Sequence, residues 1–391
     1  MFSLAVVIAI APIVVALYAY VAYPVIVWAV ARLRRYTVVD TNGDEWPFVT
    51  ITVPVYNAVA SVRDTLERLL AIDYPSEKLQ LLVLSDASND GTDDIVRELA
   101  PRGVQLLRAP TRRGKTAAEN AAVSVALGEI IVNVDATVIV PGTSLKPLIR
   151  AFKDPTVGVA SGRDLSVASG GHYDPGAESG YTGYEMLVRD FETQAGSIVG
   201  ASGCFYGVRR KIRSAPLPSG LSWDFASTLV AREQGYRSVS VPAAVCLVPQ
   251  TPQLRLEMRR KARTMARGLS TLFRFRALMN PFRYGGFALM LISHKLLRWI
   301  PYLIAPAAIF ALAVLATRSD IAALLFAIVA AGLLSGVAAI KYPSSITFKP
   351  LALAGFVAAA MCAGCLAWFD AIRGARMVTW DPTPRPTVTP G

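Results

Sequence analysis

Five short stretches of this sequence hold charged or polar side chains at spacings that could handle an activated, phosphate-bearing ligand. In Leu84-Ser85-Asp86-Ala87-Ser88-Asn89-Asp90-Gly91-Thr92, one carboxylate could accept hydrogen bonds from a base or ribose while the other caps a helix. Capping with a turn glycine accounts for Asp90 and Thr92 more readily than for Asp86. Arg112-Arg113-Gly114-Lys115-Thr116 sets cations and free amides before a helix, with Glu119 and Asn120 one turn on, which suits phosphate. The first glycine of a triphosphate-binding loop is absent, because Ala109 and Pro110 stand there, so an ATPase is set aside. Asp135, in Val134-Asp135-Ala136-Thr137, ends an apolar run, where a carboxylate is costly unless a cation such as a hard divalent metal meets it. Val53-Pro54-Val55-Tyr56-Asn57 and Trp223-Asp224 are weaker signals, one compatible with an ordinary strand-to-helix turn and the other with a helix cap.

These residues need a scaffold, and the pattern between them supplies one. Phe48–Val53, Leu79–Leu84, Val104–Leu107 and Ile130–Val134 read as strands, the second apolar almost throughout, as burial on both faces requires. Helical spacing separates them over Val59–Ile72, after Asp90, and over Ala117–Leu127. Such alternation predicts an α/β fold with a mostly parallel, doubly wound sheet and ligands at the carboxyl ends of its strands. Pro54, lacking an amide donor, is expected to end the first ladder.

The ends of the chain are of another kind. Hydrophobic residues make up 53% of the 391 residues, concentrated in 1–31 and 287–369. Phe2–Val30 is uncharged and longer than the ~20 residues that span a bilayer. Arg32, Arg34 and Arg35 follow it at once, which predicts an uncleaved anchor over 1–35 and a cytoplasmic segment after it. The catalytic part is expected over 48–250, and basic amphipathic interface helices over 251–298. C-terminal spans follow within 299–370, near 299–317, 321–340 and 350–369, and a Pro-rich disordered tail over 377–391. The net charge of +12 comes without zinc-finger spacing or an RNA-binding signature, so lipid headgroups and diphosphates are the expected partners and nucleic acid is not. Cys362 and Cys365 lie in an apolar run and read as packing residues, and two histidines offer few ligands for zinc.

In order, VPVYN, SDASNDGT, RRGKT, DAT, GASGCFYGVRR, WD and RRKAR resemble the inverting family 2 glycosyltransferases, in the membrane-embedded branch of hyaluronan, chitin and cellulose synthases. The resemblance covers about residues 48–300. It implies a GT-A type nucleotide-sugar-binding domain flanked by transmembrane helices, in a multi-pass protein of the inner or plasma membrane. Pro54, Tyr56 and Asp86 would line a uridine pocket, and Lys115 would help to hold the nucleotide. Asp135 would bind a divalent metal, Mg²⁺ or Mn²⁺, on the diphosphate, which Arg260 and Arg263 would contact. Gly203, Cys204 and Phe205 would form the acceptor-side loop, and Asp224 would be the general base. The implied reaction is a hexosyl or N-acetylhexosaminyl transfer from a nucleotide-sugar donor to a glycan or lipid-linked acceptor.

Thr137 replaces the second acid of the family's D-x-D, Trp223 the acid before the base, and Thr264 the Trp of Q/R-x-x-R-W. These departures point to transfer of one or a few sugars. A processive synthase that secretes its product, which three later spans would serve best as an oligomer, and a catalytically inactive nucleotide-binding scaffold are the competing readings.

Overall fold

A computed structural model of the chain describes residues 2–34, 36, 45–167, 180–249, 254–341, 349–374 and 379. The expected disordered tail, apart from Thr379, and residues 168–179 lie outside them. The chain divides into two compact units, Val27–Gln250 with Arg376–Gly391, and Met1–Ile26 with Thr251–Ala375.

The first unit is built on a seven-stranded sheet of order β3-β2-β1-β4-β6-β5-β7. Its strands are β1 (Val49–Val55), β2 (Leu79–Ser85), β3 (Val104–Arg108), β4 (Ile130–Val134), β5 (Val157–Val167), β6 (Phe205–Arg209) and β7 (Arg237–Pro249). β1 to β4 run parallel, and β6 lies antiparallel between β4 and β5. Alternate residues serve opposite faces, as pleating demands. Val49, Ile51, Val53 and Val55 of β1 pack with Leu66 and Leu69 of the helix Val62–Leu70. Leu82 and Leu84 of β2 point the other way, onto Ala118 and Ala122 of the helix Lys115–Val125. Each fully buried Val or Leu contributes roughly 1.5–3 kcal/mol, so helices on both faces follow from strands apolar on both.

Pro54 does not end β1. Pairing with β4 stops at Thr52↔Asn133, whereas pairing with β2 continues through Val55↔Ser85. Val55 O accepts from the Asp86 amide on the β2 side, so Pro54, one residue away, turns its missing donor toward the side where the β4 ladder has already finished.

In the second unit, among the described residues, three helices are long and apolar enough to cross a membrane: Phe2–Arg34, Gly286–Ala316 and Asp320–Ala338. Phe2–Arg34 extends into the first unit's range. Leu4, Val7, Ile13 and Val14 are exposed along it, as lipid contact permits. The helix Lys349–Ile372 follows, with an apolar described stretch of only Ala360–Ile372. Residues 287–298, at the end of the expected interface segment, open the long helix Gly286–Ala316, which passes through a π-turn at Ile292–Leu296. Its polar residues face inward: His294 is 1% and Arg298 4% exposed. Arg298 stacks over Tyr20, and Tyr18 exchanges a 3.0 Å hydrogen bond with Ser293, so the first helix shields these groups.

Candidate active site

The carboxyl ends of β1 and β2 open into two loops laced together by hydrogen bonds. Asn57 N donates to Ser88 Oγ (3.1 Å), Ala58 N to Thr92 Oγ1 (2.8 Å) and Val59 N to Asp90 Oδ2 (3.0 Å). Asp90 Oδ1 also takes the Thr92 amide at 3.0 Å, so Asp90 clamps the two loops together. Burial alone would raise its carboxyl, but the Thr92 hydroxyl and these amides outweigh that and hold it below the usual carboxylate range. Asn57 (φ 49°) and Ala87 (φ 61°) sit in the left-handed region that non-glycine residues rarely adopt, one in each loop.

Asp86 is 0% exposed, and both of its oxygens are engaged. Oδ1 accepts from Arg113 N (2.7 Å) and Gly114 N (3.1 Å), and Oδ2 from Gly114 N (2.9 Å). The carboxylate thus fastens the end of β2 to the loop that starts the helix Lys115–Val125. Gly114 (φ 89°, ψ 161°) turns that loop in a conformation only glycine adopts easily. Beside it the Arg112 guanidinium lies 3.7 Å from the centroid of the Tyr56 ring, which makes a flat cationic surface at the mouth of β1.

Lys115, first residue of its helix, reaches across to β4. Its ammonium donates to Asp135 Oδ1 at 2.6 Å and to Gly203 O at 3.4 Å. Burial alone would lower its pKa, but the carboxylates of Asp135 and Glu119 raise it above the ordinary lysine range. Asp135 N donates to Cys204 O (3.1 Å), which ties the β4 tip to the loop before β6. That loop hangs on Ser202, whose hydroxyl donates to Asp164 Oδ1 (2.6 Å) and accepts from Cys204 N (3.0 Å).

Asp224 enters from the opposite side, in the first turn of the helix Trp223–Glu233. Its Oδ1 accepts from the Ser222 hydroxyl and from Phe225 N (2.8 Å). Its Oδ2 faces Gly203 so closely that a Cβ there would lie 2.9 Å away. Lys115, Asp135, Gly203 and Asp224 therefore converge, with Cys204 alongside. Phe205 does not join them: its ring is fully buried in the core, so only its backbone belongs to the loop. Arg260 and Arg263 lie three residues apart on the helix Leu254–Arg274, in the other unit.

Sequence reasoning passed over the group beneath these residues. Asn120 Nδ2 donates to Leu217 O (2.7 Å), and its Oδ1 accepts from Leu217 N (3.1 Å) and Trp223 Nε1 (2.8 Å). Thr116 Oγ1 donates to Leu221 O (2.6 Å). The lysine helix and the loop leading to Asp224 are thus bolted together. Arg213 stacks 4.7 Å over Trp223 and donates to Tyr206 Oη (2.5 Å) and Asn133 Oδ1 (3.2 Å). Trp223 is thereby a sandwiched core residue, unlike an acid at that position. Glu119 lies 2% exposed in the same region, and burial first of all, with Asp224 and Asp135 adding to it, raises its carboxyl despite Lys115 and Arg213. The one signal for this group was the position of Glu119 and Asn120 a turn after Lys115.

Among the described residues no three His, Cys, Asp or Glu converge on a metal cage. What is present is one hard carboxylate, Asp135, 30% exposed at a strand tip. That fits a cation delivered on a diphosphate, since Mg²⁺ keeps several waters and takes one or two protein carboxylates.

Residues 50–214 match the family model Glycosyl transferase family 2. The chain is 26% identical over 222 residues to poly-beta-1,6-N-acetyl-D-glucosamine synthase of Staphylococcus aureus (strain COL), covering 54% of this chain and 53% of that protein. It is 28% identical over 115 residues to the probable glycosyltransferase YdaM of Bacillus subtilis (strain 168), 26% of this chain and 27% of that one. The chain spans about half or less of the length of these curated relatives. Among solved structures it is similar to the mannosyltransferase PcManGT from Pyrobaculum calidifontis in complex with GDP-Man and Mn²⁺, at 25% identity and a TM-score of 0.71 over 94% of this chain and 99% of that one. The motifs, the GT-A sheet that positions them and these likenesses agree on a glycosyl transferase family 2 domain over residues 50–214.

Proposed function

We propose that the protein catalyses a single inverting displacement, passing a hexosyl or N-acetylhexosaminyl group from a nucleoside-diphosphate donor to a glycan or lipid-linked acceptor at the cytoplasmic face of a membrane. The observation that carries this reading is the convergence of Lys115, Asp135 and Gly203 on Asp224, whose Oδ2 faces the glycine. Asp224 acts as general base. The Ser222 hydroxyl and the Phe225 amide hold Oδ1, which orients Oδ2 to take the acceptor hydroxyl's proton as that oxygen attacks the anomeric carbon. Lys115 supplies positive charge where the diphosphate departs, and Gly203 and Cys204 let the acceptor approach.

A divalent metal, when bound on the diphosphate, would offset the leaving group's charge, and Asp135 would hold it. Tyr56 with Arg112 forms the base platform, and Asp86 supports it from below through the 113–114 amides. Pro54 contributes the rigid approach to Tyr56.

The donor's base stays open between uridine, which the family resemblance implies, and guanosine, which PcManGT carries with its mannose. A panel of UDP- and GDP-sugars offered to detergent-purified protein with Mn²⁺ and a membrane-lipid extract decides it. One donor should release its nucleoside diphosphate and yield a product whose anomeric NMR signal is inverted; retention would reject the single displacement. A processive synthase is the second reading, favoured by the likeness to the S. aureus synthase. It requires a ladder of long products from the same assay.

A further inference from the structure

Glu119 stands out because no mechanistic step employs it. It lies on the helix Lys115–Val125, 2% exposed, and its Oε1 accepts no hydrogen bond among the described residues. A buried carboxylate oxygen without a hydrogen-bond partner is expensive, so its retention calls for a reason. Its electrostatic neighbours are the site residues themselves: Lys115, Arg213, Asp224 and Asp135.

Lys115 poses the complementary problem. With its ammonium 2.6 Å from Asp135 Oδ1, it holds one of the two oxygens that a metal on the donor diphosphate could use. A dication and an ammonium repel each other strongly at contact distance in a partly dry site, so a metal on Asp135 would weaken the Lys115 contact. An ammonium pushed off Asp135 would need other acceptors. The Gly203 carbonyl, at 3.4 Å, is one, but it is neutral. Lys115 and Glu119 stand four residues apart on one helix, where side chains are neighbours. The ammonium has three donors and a flexible stem, so it can turn from one carboxylate to the other without a backbone change.

We propose that Glu119 is a positioning residue that receives the Lys115 ammonium when a metal–diphosphate takes Asp135, which clears the metal position and aims Lys115 at the leaving group. This rests on the assignment of the metal to Asp135 made above. Before the donor arrives, Lys115 neutralises Asp135 and the site is closed to free cations. Metal and nucleotide therefore enter together, and the lysine is never left without an anion. A purely structural role for Glu119, balancing the buried Arg213, predicts no link to the metal.

The test uses the full-length protein in detergent and reads Mn²⁺ binding directly, from the loss of the free-ion EPR signal, with GDP or UDP present. Glu119→Gln and Glu119→Leu should weaken Mn²⁺ binding about 10–100-fold, the usual cost of removing a group that orients a metal site. Nucleotide binding in EDTA should stay within about twofold, and Glu119→Asp should recover part of the metal affinity. In a Lys115→Met background, adding Glu119→Gln should change nothing further, because no ammonium then needs a second partner. Equal losses with and without Lys115 would show a structural counter-charge and overturn the proposal. Unchanged Mn²⁺ binding in Glu119→Gln, alongside its loss in Asp135→Asn, would also overturn it while leaving the metal assignment intact. Mn²⁺ binding that survives Asp135→Asn would remove that assignment itself. Thermal melting of each variant separates these results from unfolding.

Discussion

Gly203 is a glycine because of its neighbour. Any side chain would put a carbon 2.9 Å from Asp224 Oδ2, and the carboxylate would have to turn away. Gly203→Ala should therefore lower kcat about 100-fold while nucleotide affinity, measured by titration calorimetry, stays near wild type, since a displacement of about 1 Å at a reacting group costs that much. Asp86 offers the contrast. Its oxygens hold the Arg113 and Gly114 amides, so Asp86→Asn should act on the loop and weaken nucleotide binding before it touches the chemical step. A split between Kd and kcat checks this. The types of these residues were legible in the sequence, because carboxylates after apolar runs need partners. Their partners were not. Nothing in the spacing says that Asp86 spends both oxygens on backbone, or that the Phe205 ring turns into the core while its neighbours Gly203 and Cys204 line the site.

At the scale of elements, the helix Lys115–Val125 carries the site on one end and grips the loop 217–223 along its side. Asn120 makes three hydrogen bonds there. Asn120→Leu should leave buried backbone groups and the Trp223 indole unsatisfied, and cost about 1–3 kcal/mol in a melting or denaturant experiment. Its activity should fall as well, because Trp223 precedes the proposed base. A second element pair, the starts of β5 and β7, is joined by Asp154 and Arg237 at 2.7 Å. Burial alone would raise the Asp154 carboxyl, but the Thr156 hydrogen bonds and Arg237 outweigh it and lower its pKa. A depressed carboxylate stabilises the fold above its unfolded value, near 3.9, and loses that contribution as pH falls through the folded value. Asp154→Asn should thus lower stability by about 2 kcal/mol at pH 7, with the gap from wild type closing below pH 4. The parallel β1–β4 core was readable because strands buried on both faces are apolar throughout. β6 was harder to see: it inserts antiparallel between β4 and β5, and its place depends on long-range pairing that no local pattern encodes.

At the scale of the molecule, three helices among the described residues are long and apolar enough to cross a membrane, and they accompany a domain that matches glycosyl transferase family 2. The Arg cluster after the first helix sets the expected orientation. A single cysteine at position 2, in a background without Cys204, Cys246, Cys362 and Cys365, should react with an impermeant maleimide in intact cells. One at position 45 should react only after permeabilisation. The membrane segments were legible from apolar length alone, but the inward-facing placement of His294 and Arg298 was not, because composition does not reveal which face another helix covers. Asp224 is the proposed base on which transfer depends. The most direct test measures nucleoside diphosphate release and sugar transfer by wild type and Asp224→Asn with the accepted donor, alongside nucleotide affinity. A loss of about 100-fold or more in rate with unchanged affinity is the predicted result. Transfer by Asp224→Asn at the wild-type rate would contradict it.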